Sequence, residues 1–261
     1  MKITRHLLAV AVTLAVSHLF STFPQAQTQS RRTILVNQIR TYGCVRTRLS
    51  GEAPTDSVQI SNSTGRQDID RAVSIDITEL DNQFKVYVPV YFELSDAKNA
   101  FFTPDKYPEL IMADKGTYDQ PYNGSVILGL GLWNDETVKN AGFALPAVIA
   151  HEFAHAMQHK NRFPQAGSKW AELHADYMAG WFTAHRGRFV FQNDALILKS
   201  FYDKGDFEFF SEGHHGTPQE RANAFYNGYL LNKQTGVAFG THAYEYGLQY
   251  LKTCRQYKTC L

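Results

Sequence analysis

His151, Glu152 and His155 are spaced H-E-x-x-H within Ala147–Arg162, a stretch (AVIAHEFAHAMQHKNR) with helical periodicity. At about 100° per residue, positions four apart lie on one face, one turn from each other. Both imidazoles can therefore point at a single metal ion. Glu152, at the edge of that face, can take a proton from a water on the metal. Val148, Phe153, Ala156 and Met157 cover most of the remaining surface, which predicts a largely buried helix. Pro146 suits the first turn, where its missing N–H leaves no intrahelical bond unmade.

A catalytic zinc site needs three protein ligands and an open position for water. Glu172 and Asp176 share one face of a second predicted helix, about Lys169–His185, with Ser168 placed to cap its N-terminus. Glu172 is the candidate third ligand. Asp176 is the candidate acceptor for the outer N–H of a ligand imidazole, fixing its tautomer. Pro164 and Gly167 leave a short link between the helices, which favours antiparallel packing, and Ala175, Ala179 and Gly180 would let the second helix approach the first closely. The competing reading of the acidic pair is a solvated face. The competing ligands are His159, which drifts off the H-E-x-x-H face, and His174, which points away from Glu172. Both read better as ordinary polar or surface histidines, as do His185 and His242.

The elements that must position these residues come from a chain of 261 residues with 44% hydrophobic content and a formal net charge of +1. That length suits one large domain, or a catalytic domain with a small accessory one. The charge balance gives no reason to expect nucleic acid or an anionic membrane as a general partner. Lys2, Arg5 and the apolar run Leu7–Val16 have the pattern of an export signal, with a core shorter than a membrane span needs. Cleavage after Ser17 or near Ala26 is compatible with the residues there, and an uncleaved anchor is the alternative. Cys254 and Cys260 lie close enough for a local disulfide, which agrees with an oxidising compartment and leaves Cys44 over unless it pairs with one of them.

Before the central helix the texture is that of strands. Val73, Ile75 and Ile77 alternate with polar residues, as do Phe84, Val86, Val88 and Val90, and Asp81-Asn82 between them supplies turn chemistry, predicting an antiparallel hairpin. Ile34–Ile39 and Val58–Ser61 are weaker strand candidates. Ser125–Leu130 (SVILGL) reads as a short apolar strand, either plain core or an edge able to pair with an extended substrate. Asp194–Tyr202 suggests a short helix. Thr217-Pro218-Gln219-Glu220 is a capping box with proline at the first helical position, opening a helix to about Leu231. The polar, aromatic stretch after Asn232 carries no clear assignment.

Three segments in order, HEFAHAMQ, AELHADYMAGW and HGTPQERANAFYNGY, resemble the successive signatures of the neutral zinc metallopeptidases. More broadly they resemble the gluzincins, whose ligand set is H-E-x-x-H plus a downstream Glu in E-x-x-x-D. The resemblance spans about Ala147–Leu231, with SVILGL in the place of an active-site edge strand, and does not clearly reach the N-terminal strands or the tail. It implies His151, His155 and Glu172 as ligands of one catalytic Zn2+, Glu152 as general base and Asp176 behind a ligand imidazole. Ala154 stands where many relatives carry Gly, and is small enough to leave the site intact. The resemblance also places His215 in a recurring motif, where its imidazole could donate to the reaction oxyanion. Arg221 could serve that purpose instead, or bind a substrate carboxylate. Alternatively the histidines at 214 and 215 shape the loop and Arg221 pairs with a carboxylate of the fold.

The sequence thus predicts an α+β protein: a zincin-like metallopeptidase domain with a helix-borne H-E-x-x-H, preceded by a small antiparallel β region. The boundaries are 1–26 for a signal peptide, 27–95 for the β-rich region, 96–235 for the metallopeptidase domain and 236–261 for a tail. The expected activity is exported, periplasmic or secreted, zinc-dependent hydrolysis of peptide bonds in a peptide or protein substrate, with no membrane span after signal cleavage. The alternative is a non-catalytic zinc-binding or protein-binding module on a peptidase-like fold.

Overall fold

A computed structural model describes residues 29–42, 51–53, 56–110, 122–140, 142–164, 169–187, 191–205, 215–257 and 260. The segment read as an export signal, Cys44, Ser168 and His214 lie outside the described residues. No helix among the described residues is long and apolar enough to cross a membrane.

Among the described residues, five strands form one sheet: β1 (Arg31–Leu35), β2 (Ser57–Ser61), β3 (Val90–Glu93), β4 (Ala100–Thr103) and β5 (Ser125–Gly129), in the spatial order β1-β2-β3-β5-β4. Three pairings are antiparallel, but β3 runs parallel to β5, so the sheet is mixed where the sequence had suggested a purely antiparallel region. The protein is α+β, as expected. Strands from both sides of residue 95 share this sheet. The order also moves the edge. Ser125–Gly129 is a strand as anticipated, but it lies between β3 and β4 with all five residues buried. It cannot pair with a further chain, and among the described residues the strand at that edge is β4.

The predicted hairpin over Val73–Thr78 and Phe84–Val90 is absent. Residues Gln67–Phe84 form helix α1, with Ile69, Val73, Leu80 and Phe84 buried at helical spacing while Ile75 is 44% exposed. Three alternating pairs are too few to outweigh an apolar stripe repeating every three to four residues over eighteen. Asp68 and Asp70 in the first turn suit the positive end of the helix dipole, and Lys85, at φ 54°, turns the chain out. The second half of the alternation survives. Val86 and Val88 are buried and Tyr87 exposed in the extended segment that enters β3.

The remaining helices are α2 (Leu130–Asn140), α3 (Leu145–Lys160), α4 (Lys169–His185), α5 (Phe191–Asp203), α6 (Pro218–Thr235) and α7 (Gly240–Tyr257). Helix α3 carries H-E-x-x-H and packs against α4, α1 and strands β4 and β5; from Ala147 to Gln158 every residue is buried. The α6 capping box forms in both directions: Glu220 N–H donates to Thr217 Oγ1 at 3.2 Å and Thr217 N–H donates to Glu220 Oε2 at 3.0 Å. The unassigned tail is a helix whose Ala243, Tyr244, Gly247, Leu251 and Cys254 face inward, and Cys254 and Cys260 are joined by a disulfide at its end.

Helix α4 packs against α3, α6 and α7. Its small residues do not all serve the approach to α3 that the sequence suggested. A Cβ at Gly180 would lie 1.9 Å from the Phe225 carbonyl oxygen of α6, and one at Gly228 of α6 would lie 1.8 Å from the Tyr177 carbonyl oxygen of α4. The two glycines interlock the helix backbones, and no side-chain shift can relieve an added methyl. Gly228→Ala is therefore expected to cost about 1–3 kcal/mol of stability by overpacking, read as a lower urea midpoint. An unchanged midpoint would show that the helices do not meet there.

Candidate metal centre

The site lies between two antiparallel helices. His151 of α3 faces Asp176 of α4, His155 faces Glu172, and Gln158 faces the Ala171 carbonyl, so one helix runs up in sequence as the other runs down. The short link expected between them allows this register. His151, Glu152, His155, Glu172 and Asp176 are each at most 3% exposed. The solvated reading of the acidic pair is thereby excluded.

His151 Nε2 and His155 Nε2 are 3.0 Å apart, His151 Nε2 is 3.3 Å from Glu172 Oε2, and His155 Nε2 is 3.3 Å from Glu172 Oε1. A tetrahedral ion with bonds of about 2.0–2.1 Å spaces its ligands by about 3.3 Å. These three residues form a group able to hold a metal ion, with candidate ligand atoms within 4.8 Å of one another. Two imidazole nitrogens and a carboxylate so close, in a buried place, need positive charge among them. Burial pulls the His151 imidazole down, but hydrogen bonds and charge from Asp176 and Glu172 outweigh it and hold it up at about 9. Burial likewise pushes Glu172 up, and the facing imidazoles of His155, His151 and His215 overcome that, keeping its carboxyl well below the usual range. A cation would meet the same electrostatic demand as those protons.

The outer ring nitrogens are engaged as well. His151 Nδ1 lies 2.8 Å from Asp176 Oδ1; a carboxylate only accepts, so Nδ1 carries a proton, and Nε2 is the nitrogen that faces His155 and Glu172 and would meet a metal ion. Asp176 in turn accepts two hydrogen bonds of 2.7 Å from the Arg221 guanidinium. Burial raises the Asp176 carboxyl, but Arg221 and His151 overcome this and bring it below its ordinary value. Arg221, only 4% exposed, therefore pairs with a carboxylate of the fold. The oxyanion and substrate-carboxylate roles considered for it are set aside, since the guanidinium is already committed to Asp176.

His155 Nδ1 is 2.9 Å from Gln158 Oε1. Gln158 is not among the residues singled out by the motif, although its place three residues after His155 on the same helix is a usable signal. His159 is exposed and packs edge-on against Tyr42, away from the ligand group. His174 is not a surface residue: it is fully buried, with Nε2 donating to the Tyr244 carbonyl of α7 at 3.0 Å. His215 is brought to the site, its Nδ1 3.2 Å from Glu172 Oε2. A cavity of about 240 Å³ opens beside these residues, lined among others by Ala100 of β4, Val148, His151, Glu152, Phe201 and His215.

Burial drives the His174 imidazole down to about 4 from its ordinary 6.5. Between those values the unfolded chain takes up a proton that the folded protein refuses, so stability falls as pH drops from about 6.5 towards 4 and this contribution then levels off. At about 1.4 kcal/mol per unit the full loss is about 3 kcal/mol. Urea unfolding across this range is expected to show a shallower acid decline for His174→Asn than for the parent. Equal slopes would mean that His174 is not held neutral. No protein-family model, curated protein or solved structure matches the chain, and a function has to be argued from these residues themselves.

Proposed function

We propose that the chain is an exported zinc metallopeptidase, with His151, His155 and Glu172 as the metal ligands. The observation that carries this reading is the convergence of three ligand atoms at tetrahedral spacing beside a cavity that Glu152 also lines. The borderline-soft imidazoles with one carboxylate suit zinc, and the cavity that His151 and Glu152 line is room beside them for the water and substrate of a catalytic site. Bound zinc lowers the pKa of water to near ~7 and polarises a carbonyl.

The chain's own residues supply the rest. Glu152, next to His151 on α3 but absent from the ligand group, takes the proton of the attacking water and returns it to the leaving amine. Asp176 and Arg221 hold His151 in the tautomer that presents Nε2. His215 borders the cavity and donates to the charge developing on the substrate carbonyl oxygen. A peptide substrate is supported by β4. It is an edge strand among the described residues, and Ala100 borders the cavity. An extended peptide can add to such an edge. Farther along, the Phe102 carbonyl already accepts from Tyr42 N–H at 3.0 Å.

Metal analysis of the purified protein, coupled to a mass-spectrometric screen of a peptide library, tests the reading. The parent is expected to hold one zinc and cleave; Glu152→Gln keeps the zinc and loses turnover, while Glu172→Ala loses the zinc. Zinc retained by the parent with no cleavage of any peptide would favour a non-catalytic zinc protein. His215→Ala should keep zinc and lower kcat with little change in KM, by roughly 2.7–4 kcal/mol if it matches known oxyanion donors. Activity within a few-fold of the parent would make His215 structural.

Export rests on the positively charged, apolar N-terminus and agrees with the Cys254–Cys260 disulfide. N-terminal sequencing of the protein from its native compartment should begin downstream of the apolar run. Recovery in the cytosol with Met1 retained would overturn it.

A further inference from the structure

Proton positions around His155 can be deduced from groups that are able only to accept. The Tyr244 carbonyl lies 3.0 Å from His174 Nε2, so Nε2 carries the hydrogen. The ring's other nitrogen, Nδ1, faces the Gln158 amide. That Nδ1 is 3.2 Å from Gln158 Nε2, and the same amide nitrogen donates to the Ala171 carbonyl at 2.8 Å. The Ala171 carbonyl can only accept, which settles which end of the amide is nitrogen. Gln158 Oε1 must then face His155 Nδ1, which it does at 2.9 Å, and it can only accept. His155 Nδ1 therefore carries a hydrogen. Its Nε2 is the nitrogen that faces His151 Nε2 and Glu172 and would meet a metal ion.

From this we infer that Gln158 and His174 are positioning residues for the metal ligand His155, in a buried relay that begins at the backbone of α7. Both side chains are fully buried. The relay gives His155 what Asp176 gives His151, with a neutral amide in place of a carboxylate, so only one of the two imidazoles is backed by negative charge. Helix α7 is shaped to seat it. Gly247 lies in the helix interior, where glycine costs up to about 1 kcal/mol relative to alanine. A Cβ there would come within 2.8 Å of His174 Nε2. The inference rests on the metal reading of His151, His155 and Glu172.

The test is the zinc affinity of the full chain, by competition with a chromophoric chelator, and the visible spectrum of the cobalt-loaded protein. His151→Ala serves as the control for the metal reading. If the parent binds no zinc, or His151→Ala binds it equally well, the metal reading itself fails and takes the relay with it. With that control satisfied, Gln158→Met, which keeps volume and removes the acceptor, is expected to weaken zinc 10–100-fold and alter the cobalt spectrum. Gln158→Glu, whose neutral carboxyl can accept from His155 and donate to the Ala171 carbonyl, should recover most of that loss. Zinc affinity within twofold of the parent in Gln158→Met would overturn the relay. So would an equal loss in both variants, since packing alone would then explain it. If neither variant folds, Gly247→Ala decides: its methyl meets the His174 ring first, at 2.8 Å, and zinc binding should weaken several-fold. An unchanged affinity there refutes the inference.

Discussion

The structure depends on keeping two imidazoles and a carboxylate together out of water. Polar groups at this depth are tolerated only when their remaining donors and acceptors are matched, because burial without partners costs several kcal/mol per charge. Here the matching is done in a second ring of side chains. Asp176 and Arg221 stand behind His151, and Gln158, His174 and the Tyr244 carbonyl stand behind His155. Neither helix α3 nor α4 provides this alone. Arg221 comes from α6 and the Tyr244 carbonyl from α7.

That dependence explains why α4 is buried on nearly every side. It must face α3 with Glu172 and Asp176 while pressing against α6 closely enough for Arg221 to reach Asp176. The interlocked Gly180 and Gly228 permit the second contact, and the capping box at Thr217 and Glu220 sets where α6 begins, three residues before Arg221 in chain order. Lys169 also donates to Glu220 at 3.0 Å, tying the start of α4 to the start of α6. A local capping interaction thus becomes part of the geometry of a buried site.

On the other side of α3, the sheet supplies a wall and an edge. Strands β4 and β5 pack on the helix through fully buried residues. Placing β5 inside the sheet leaves β4 as the strand nearest the cavity, with backbone groups directed outward at alternate residues. Tyr42 occupies one of them at Phe102 and sets its ring against His155 and His159, at 6.4 and 5.3 Å between centroids. The segment before β2 therefore frames the same region as the strand it caps.

What the sequence determined by itself is local. H-E-x-x-H on α3, Glu172 and Asp176 one turn apart on α4, and the capping box of α6 all lie within a few residues, where helical period and end signals act through nearby backbone. These pieces appear where they were expected. Helix α1 was misread although its stripe from Ile69 to Phe84 was present, because a short alternation within it mimics a strand; the buried stripe of α7 was likewise present and unassigned. Other features were beyond local reading. That Arg221 would grip Asp176 and not a substrate depends on how closely α6 meets α4. That Ser125–Gly129 would be interior depends on β4 adding outside it, and that the Gln158 amide would turn its oxygen to His155 depends on carbonyls from α4 and α7. Periodicity tells which residues share a face, but the partner opposite that face comes from distant chain, and only the packed structure selects it.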